Sequence, residues 1–146
     1  MQRVQPGLKR ALGNGAYVLR AAAALGTPLP DYAIEIDGVA TRAASIVVAK
    51  GRSYGGAFVL AQHADLADPS FEACLLAAGD AASLLLAAGA LATARTAHSG
   101  SLRFQRASQV FVGGPPGEPV QADGDIVAHL PAVIQPAPTP LLLLAP

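Results

Sequence analysis

The chain has 146 residues, enough for one domain with a buried core. Hydrophobic residues make up 52% of it but aromatic residues only 5%, so the core has to be built mainly from Ala, Val, Leu and Ile. The 15 glycines and 12 prolines predict many turns, which argues against a helical bundle. Ten basic residues balance ten acidic ones, so no net positive field indicates nucleic acid as a partner.

Cysteine usage and hydropathy indicate a cytoplasmic protein. Cys74 is the only cysteine, which rules out an internal disulfide and favours a reducing compartment. No apolar signal segment follows the N-terminus, and the uncharged stretch 81–94 is shorter than the ~20 residues that span a bilayer. Four basic residues precede the first acidic one, which fits either a peripheral contact with anionic lipid or an ordinary solvated helix face: Arg3, Lys9, Arg10 and Arg20.

Apolar periodicity predicts a helix over residues 6–25, ended by Gly26. Alternation then predicts a strand over 32–36, and the dipeptide Asp37-Gly38 predicts a hairpin turn. We expect the chain to return as the β-branched strand 44–49.

The second half of the chain reads as short strands around one inserted helix. That helix is expected to begin at Gly79 or Asp80 and to run to about Thr96. Further strands are predicted over residues 57–61, 70–77, 108–112, 120–122, 125–130, 132–135 and 141–145. The expected fold is a single domain over 1–146, mainly β: an antiparallel β-sandwich or flattened barrel with an N-terminal helix and one inserted helix.

The segment Asp123-Gly124-Asp125 follows an extended stretch and carries two carboxylates beside a glycine. Asp-Gly is typical of a tight hairpin turn, and that structural interpretation stays open. A functional interpretation is also available: a carboxylate held at a rigid strand end can take a proton from a substrate hydroxyl.

Two further loops carry groups that could bind ligands. Glycines and cations alternate in the first, which favours either a phosphate or a structural turn: Lys50, Arg52, Tyr54, Gly55 and Gly56. It is neither a Walker A loop nor a Rossmann fingerprint. The second, residues 65–70, could hold a hard cation or be a solvated acidic turn. The three histidines lack the spacing of zinc ligands.

In order along the chain, these segments resemble the diacylglycerol-kinase and sphingosine-kinase family of lipid kinases, which is part of the NAD-kinase-like superfamily. The family's N-G-R-Y-Y-G-G-G segment is similar to residues 50–57, and its A-x-L-D-D-G-L-L loop to residues 64–71. Its V-Q-x-D-G-E motif is similar to residues 120–125, and its K-R-x-L-G-x-x-A-Y stretch to residues 9–17. Because the matches keep one order over nearly the whole chain, the set is more specific than any single motif.

The resemblance implies roles for individual residues. Asp125 would be the general base that deprotonates a lipid hydroxyl, with aspartate in place of the family's glutamate. Asp123, Gly124 and the loop 50–56 would lie near substrate and phosphate. A structural magnesium ion would be bound by Asp68 with the carbonyls of Asp65 and Ser70, although Pro69 replaces the usual glycine. Lys50 and Ser53 replace the family's asparagine and first tyrosine.

The family's G-G-D-G-T motif, which cradles ATP, is absent from these 146 residues. We therefore expect a piece of a longer kinase, inactive alone, whose partners are MgATP as co-substrate, a lipid substrate and its own N-terminal nucleotide-binding domain. A naturally truncated chain stays an alternative, and so do a peripheral membrane contact and a homodimer. The competing function is a catalytically lapsed member that acts as a lipid-binding or regulatory module.

Overall fold

A computed structural model describes residues 29–54, 58–93 and 95–139. The predicted helix 6–25 and strand 141–145 lie outside these residues. The described elements are β1 (Tyr32–Ile36), β2 (Val39–Ala43), β3 (Ser45–Ala49), β4 (Ser53–Tyr54), β5 (Phe58–Val59), β6 (Phe71–Leu76), α1 (Ala81–Ala92), a 3-10 turn (Thr96–His98), β7 (Leu102–Ala107), β8 (Val110–Gly113), β9 (Pro119–Ala122), β10 (Asp125–His129) and β11 (Ala132–Ile134).

Two antiparallel sheets form the body of the domain. One has the strand order β11-β8-β1-β2 and the other β3-β6-β7, while β4-β5 and β9-β10 are two-stranded ribbons. Alternate residues of both sheets enter one apolar core. Its buried members are Ile34, Ile36, Ala43, Ala73, Leu75, Ala107, Val110, Val112 and Leu130. The predicted β-sandwich is confirmed, and the sheets of the described residues do not close into the alternative barrel.

The predicted turn at Asp37-Gly38 is confirmed, but the predicted return strand is wrong. Both turn residues have positive φ, 49° and 82°, as a two-residue hairpin with the strand twist requires. The returning strand is β2, whose Val39 pairs with Ile36. The expected partner 44–49 instead becomes β3 and pairs with β6 in the other sheet. The strand β2 was missed because its sequence, VATRA, lacks a continuous apolar face.

The carboxylate of Asp37 joins this hairpin to the connection between β7 and β8. It accepts the backbone N–H groups of Ser108 at 2.9 Å and of Gln109 at 2.8 Å. The backbone N–H of Asp37 donates to the carbonyl of Gln109 at 3.0 Å. Because these two amides face the carboxylate, β8 begins at Val110 rather than at the predicted residue 108.

The helix α1 begins as predicted and ends earlier. The side chain of Asp80 accepts the N–H of Ser83 at 2.8 Å and caps the first turn. The helix ends at Ala92, whereas the prediction ran to Thr96. Its buried side packs on the outer face of the three-stranded sheet through Ala87, Leu76 and Ala44. No helix within the described ranges is long and apolar enough to span a membrane.

We predict that Asp37→Ala lowers the free energy of unfolding by about 2 to 3 kcal/mol, since it removes charge-assisted hydrogen bonds and places alanine at positive φ. Asp123→Ala is the matched control: Asp123 also precedes a glycine at positive φ, 52°, but its carboxylate bonds to no described residue. It should cost only about 1 kcal/mol, the backbone strain. Urea unfolding measures both variants, and equal losses would show that the Asp37 carboxylate contributes nothing.

Candidate functional site

The candidate base Asp125 stands at the tip of the ribbon formed by β9 and β10. The strands pair through Asp125 with Ala122 and Ile126 with Gln121. Asp123 and Gly124 form the connecting turn at φ 52° and 100°, so the sequence-predicted turn is confirmed. A bulge between Ile126 and Ala128 shifts the register farther along the ribbon. Asp125 is therefore fixed in position by the first pair of the ladder beside a two-residue turn.

Backbone hydrogen bonds close the base of this ribbon, although neither of its strands pairs with a larger sheet. The N–H of Leu130 donates to the carbonyl of Glu118 at 2.8 Å, and the N–H of Gly117 donates to the carbonyl of Leu130 at 3.2 Å. The side chain of Leu130 is buried in the main core, and Val120 packs against that core. The ribbon thus projects from an anchored base.

A tyrosine and a glycine complete the anchor. The hydroxyl of Tyr32, on β1, donates to the carboxylate of Glu118. Burial, followed by the hydrogen bond to Glu118 and its charge, raises the pKa of Tyr32 from 10.0 to about 12. Gly114 leaves room for this contact, because a Cβ there would lie 2.8 Å from side-chain atoms of both Leu130 and Tyr32.

The carboxylates at the ribbon tip are open to solvent. Asp123 and Asp125 are both exposed. Neither side chain has a hydrogen bond or ion pair with another residue in the described part of the chain. An exposed carboxylate with free lone pairs can accept a proton or a hydrogen bond from an incoming hydroxyl.

The glycine-rich loop is described only in part. Arg52 is exposed, and its carbonyl accepts the N–H groups of Leu60 at 3.1 Å and Ala61 at 3.2 Å. The backbone of Tyr54 pairs with that of Phe58 in the ribbon β4-β5. Gly55 and Gly56 lie outside the described residues, so their predicted part in phosphate binding stays a prediction.

The structure brings Lys50 and the acidic loop together. The Lys50 ammonium donates to the carbonyls of Asp68 and, at 3.2 Å, of Ser70. It also lies 5.7 Å from the centre of the Phe71 ring, within the range of a cation–π contact. Two predicted sites, the phosphate loop and the metal loop, are therefore parts of one arrangement.

Both carboxylate oxygens of Asp68 have donors from the protein. One oxygen accepts the N–H and the hydroxyl of Ser70, at 2.8 and 2.7 Å. The other forms an ion pair with the Arg106 guanidinium, which also donates to the Ser70 hydroxyl at 2.7 Å. At the start of the loop, the side chain of Asp65 accepts the N–H of Ala67, and the carbonyl of Asp65 accepts the N–H of Asp68. The loop is a closed network of hydrogen bonds.

Arg106 is the part of this arrangement that the sequence analysis missed. It lies on β7, where no strand was predicted although Leu102 and Phe104 alternate with polar residues. That alternation was the available signal. Its register opposite β6 places Arg106 next to Glu72, at the strand end where the acidic loop enters the sheet.

An open cavity of about 470 Å³ lies beside the loop. Asp65, Asp68 and Arg106 line one part of it. Glu72 lines another part and is only 5% exposed. Its carboxylate accepts the N–H of His63 at 2.9 Å. The described residues contain no group of three or more His, Cys, Asp or Glu side chains suited to a metal ion.

Glu72 also acts on the single cysteine. Cys74 is two residues farther along β6 and 4% exposed. Burial, with a smaller contribution from the charge of Glu72, raises the pKa of the Cys74 thiol from 9.0 to about 12. The predicted role of Cys74 as a small core residue agrees with this burial.

The two packed antiparallel sheets with a projecting two-stranded ribbon define a β-sandwich-like domain. Residues 2–145 match the family model described as the YegS C-terminal NAD kinase beta sandwich-like domain. The chain belongs to this family, which confirms the resemblance stated from its motifs. No curated protein matches the chain.

Solved structures with a similar fold come from Bacillus anthracis str. Sterne. One, of a candidate diacylglycerol kinase, has a TM-score of 0.60 at 15% identity. The matched region covers 73% of this chain and 37% of the chain of that kinase. A second candidate diacylglycerol kinase has a TM-score of 0.59 at 14% identity, with 79% and 41% covered. A third, of a diacylglycerol kinase, has 0.55 at 15% identity, with 73% and 38% covered. The chain thus spans about two fifths of the length of these proteins.

The Tyr32 contact predicts that the free energy of unfolding depends on pH in the alkaline range. Its pKa is about 12 in the folded protein against 10.0 ordinarily, so the folded state retains this proton longer than the unfolded state. Its contribution to stability is therefore complete below pH 10 and is lost as the pH rises from 10 to 12. The free energy of unfolding should fall more steeply across this window in the wild type than in Tyr32→Phe. Parallel pH profiles of the two proteins in urea unfolding would contradict this.

The raised pKa of Cys74 predicts that its thiol reacts slowly in the folded chain. At pH 8, the shift of the pKa from 9.0 to about 12 lowers the thiolate fraction about a thousandfold relative to the unfolded chain. Reaction with a colorimetric disulfide reagent should therefore be much slower in the folded chain than in denaturant. Glu72→Gln should accelerate the reaction modestly, because it removes only the smaller cause of the shift. A native rate equal to that in denaturant would refute the buried position.

Proposed function

We propose that this chain is the substrate-side domain of an ATP-dependent lipid kinase that transfers the γ-phosphoryl group of MgATP to a hydroxyl of a diacylglycerol-like, sphingoid or related lipid. Membership in the YegS C-terminal family and the similar fold of the Bacillus anthracis proteins support the kinase class. The finer assignment depends on the chemistry available at Asp125.

The observation that carries the proposal is the anchored, exposed carboxylate of Asp125. It stands beside a two-residue turn whose ribbon is closed at its base by Leu130 and Glu118. Phosphoryl transfer requires positioning, charge neutralisation and a group that accepts the hydroxyl proton. Asp125 would accept that proton as the hydroxyl oxygen attacks phosphorus. Because aspartate is one methylene shorter than glutamate, the lipid hydroxyl has to approach the ribbon closely.

The remaining parts of the reaction are proposed to come from a second domain. MgATP, as co-substrate, would be bound by a nucleotide-binding domain with the G-G-D-G-T motif that these 146 residues lack. Arg52 is exposed beside the glycine-rich loop and would face phosphate across the cleft between the domains. The 146-residue chain alone is then expected not to transfer phosphate.

A second candidate function is a lipid-binding or regulatory module without catalysis. The observation that favours it is that no described side chain orients Asp125, whereas a general base is commonly held by a further group. This candidate predicts binding to lipid vesicles without turnover, even when the nucleotide-binding domain is present.

The test uses the complete open reading frame that encodes this chain, with MgATP and vesicles that contain diacylglycerol, a sphingoid base or phosphatidylglycerol. We predict phosphorylation of one of these lipids and a loss of about a hundredfold to ten-thousandfold in kcat for Asp125→Asn. Glu35→Gln is the matched control, since it also removes one exposed carboxylate from a strand but lies on β1. It should retain full activity.

Each alternative outcome has a distinct meaning. Full turnover in Asp125→Asn would exclude Asp125 as the base while leaving the kinase class intact. Vesicle binding without turnover on any lipid would favour the regulatory module.

A further inference from the structure

The acidic loop 65–70 gathers oxygen atoms in the way that a cation site does. The carbonyls of Asp68 and Ser70 converge on one point, and the carboxylate of Asp68 lies in the same turn. Carbonyl and carboxylate oxygens are the ligands that Mg²⁺ and Ca²⁺ prefer. The cation at the point of convergence is the ammonium of Lys50.

An ammonium and a divalent ion cannot share these oxygens. A donor nitrogen lies about 2.7–3.2 Å from its acceptor oxygen, and a bound Mg²⁺ or Ca²⁺ lies about 2.0–2.6 Å from its ligands. A metal ion on the carbonyls of Asp68 and Ser70 would therefore overlap the Lys50 nitrogen and repel its charge. The family resemblance implies a magnesium ion on the Asp68 carboxylate and the carbonyls of Asp65 and Ser70. Of these two carbonyls, that of Ser70 accepts from the Lys50 ammonium and that of Asp65 accepts the N–H of Asp68, so the arrangement does not fit this ion.

Both oxygens of the Asp68 carboxylate also have donors from the protein. One oxygen has two donors from Ser70, and the other has the guanidinium of Arg106. Two positive side chains thus contact the loop: Arg106 pairs with the Asp68 carboxylate, and Lys50 lies on the carbonyls of Asp68 and Ser70. The charge that a divalent ion would supply is already present. The Phe71 ring, 5.7 Å from the Lys50 nitrogen, adds a further favourable contact for the ammonium.

We infer that Lys50, assisted by Arg106, is a built-in replacement for a divalent cation, so that the order of loop 65–70 does not depend on magnesium or calcium. The inference concerns only which cation orders the loop, and it does not rest on the proposed kinase function. It assigns Lys50 to the acidic loop rather than to the phosphate of a substrate.

The first test uses the wild-type 146-residue chain and needs no variant. Mn²⁺ binding is followed by electron paramagnetic resonance, and thermal unfolding by circular dichroism in excess EDTA, in MgCl₂ and in CaCl₂. We expect no stoichiometric Mn²⁺ binding and the same unfolding midpoint in all three solutions. Stoichiometric binding, or a midpoint that rises with either ion, would overturn the inference.

The second test removes the ammonium while keeping an unbranched side chain, one atom shorter than lysine. Lys50→Met should unfold several degrees below the wild type in EDTA, because the carbonyls of Asp68 and Ser70 lose their donor. Magnesium or calcium should recover part of that loss, and the variant should gain Mn²⁺ binding. The matched control is Arg52→Met, which removes one positive charge from an exposed position two residues away.

Arg52→Met should remain indifferent to divalent ions. The inference fails if Lys50→Met is no less stable than Arg52→Met in EDTA. It fails as well if the stability lost in Lys50→Met is unaffected by every divalent ion, because the oxygens would then not form a cation site that Lys50 fills.

Discussion

The register of strand β6 is the constraint on which both the apolar core and the acidic loop depend. It is the middle strand of its sheet, so residues 72–76 each have a partner on both β3 and β7, and Phe71 has one on β7. Its alternation sends Ala73 and Leu75 into the core between the two sheets, and Glu72 and Cys74 to the opposite face. A shift of one residue would place the Glu72 carboxylate in the apolar core, which is why the register is strongly fixed.

The same register also positions the acidic loop, which lies outside the core. Phe71 begins β6 immediately after the acidic loop, opposite Ala107, and this pairing places Arg106 within reach of Asp68. The ribbon with Asp125 is attached differently, through Leu130 in the core and through Tyr32 on β1. The loop is therefore ordered by charge and hydrogen bonds, whereas the ribbon is ordered by its turn and an apolar anchor.

The parts that the sequence predicted correctly are those with local causes. The two Asp-Gly turns and the Asp80 cap depend on backbone preferences of neighbouring residues, so they are visible in a short window. The partner of β1 was missed because pairing is decided by tertiary contacts when apolar alternation is weak. The strand β7 was missed although Leu102 and Phe104 alternate with polar residues. The contact between Lys50 and the carbonyl of Ser70 could not be predicted, since every residue carries a carbonyl and only the fold selects which one meets the ammonium.

A tethered ammonium and a bound metal ion order a loop at different costs. Holding the Lys50 side chain costs up to about 2 kcal/mol of rotamer entropy, whereas a metal ion stabilises the loop only as far as its free concentration exceeds its dissociation constant. Lys50 is always present at one copy per chain, and its hydrogen bonds to the carbonyls of Asp68 and Ser70 are charge-assisted. For a domain proposed to work beside MgATP, such a loop keeps its shape while the magnesium concentration varies. The ammonium thereby makes the order of this loop independent of the metal ion that the proposed reaction would use with its nucleotide.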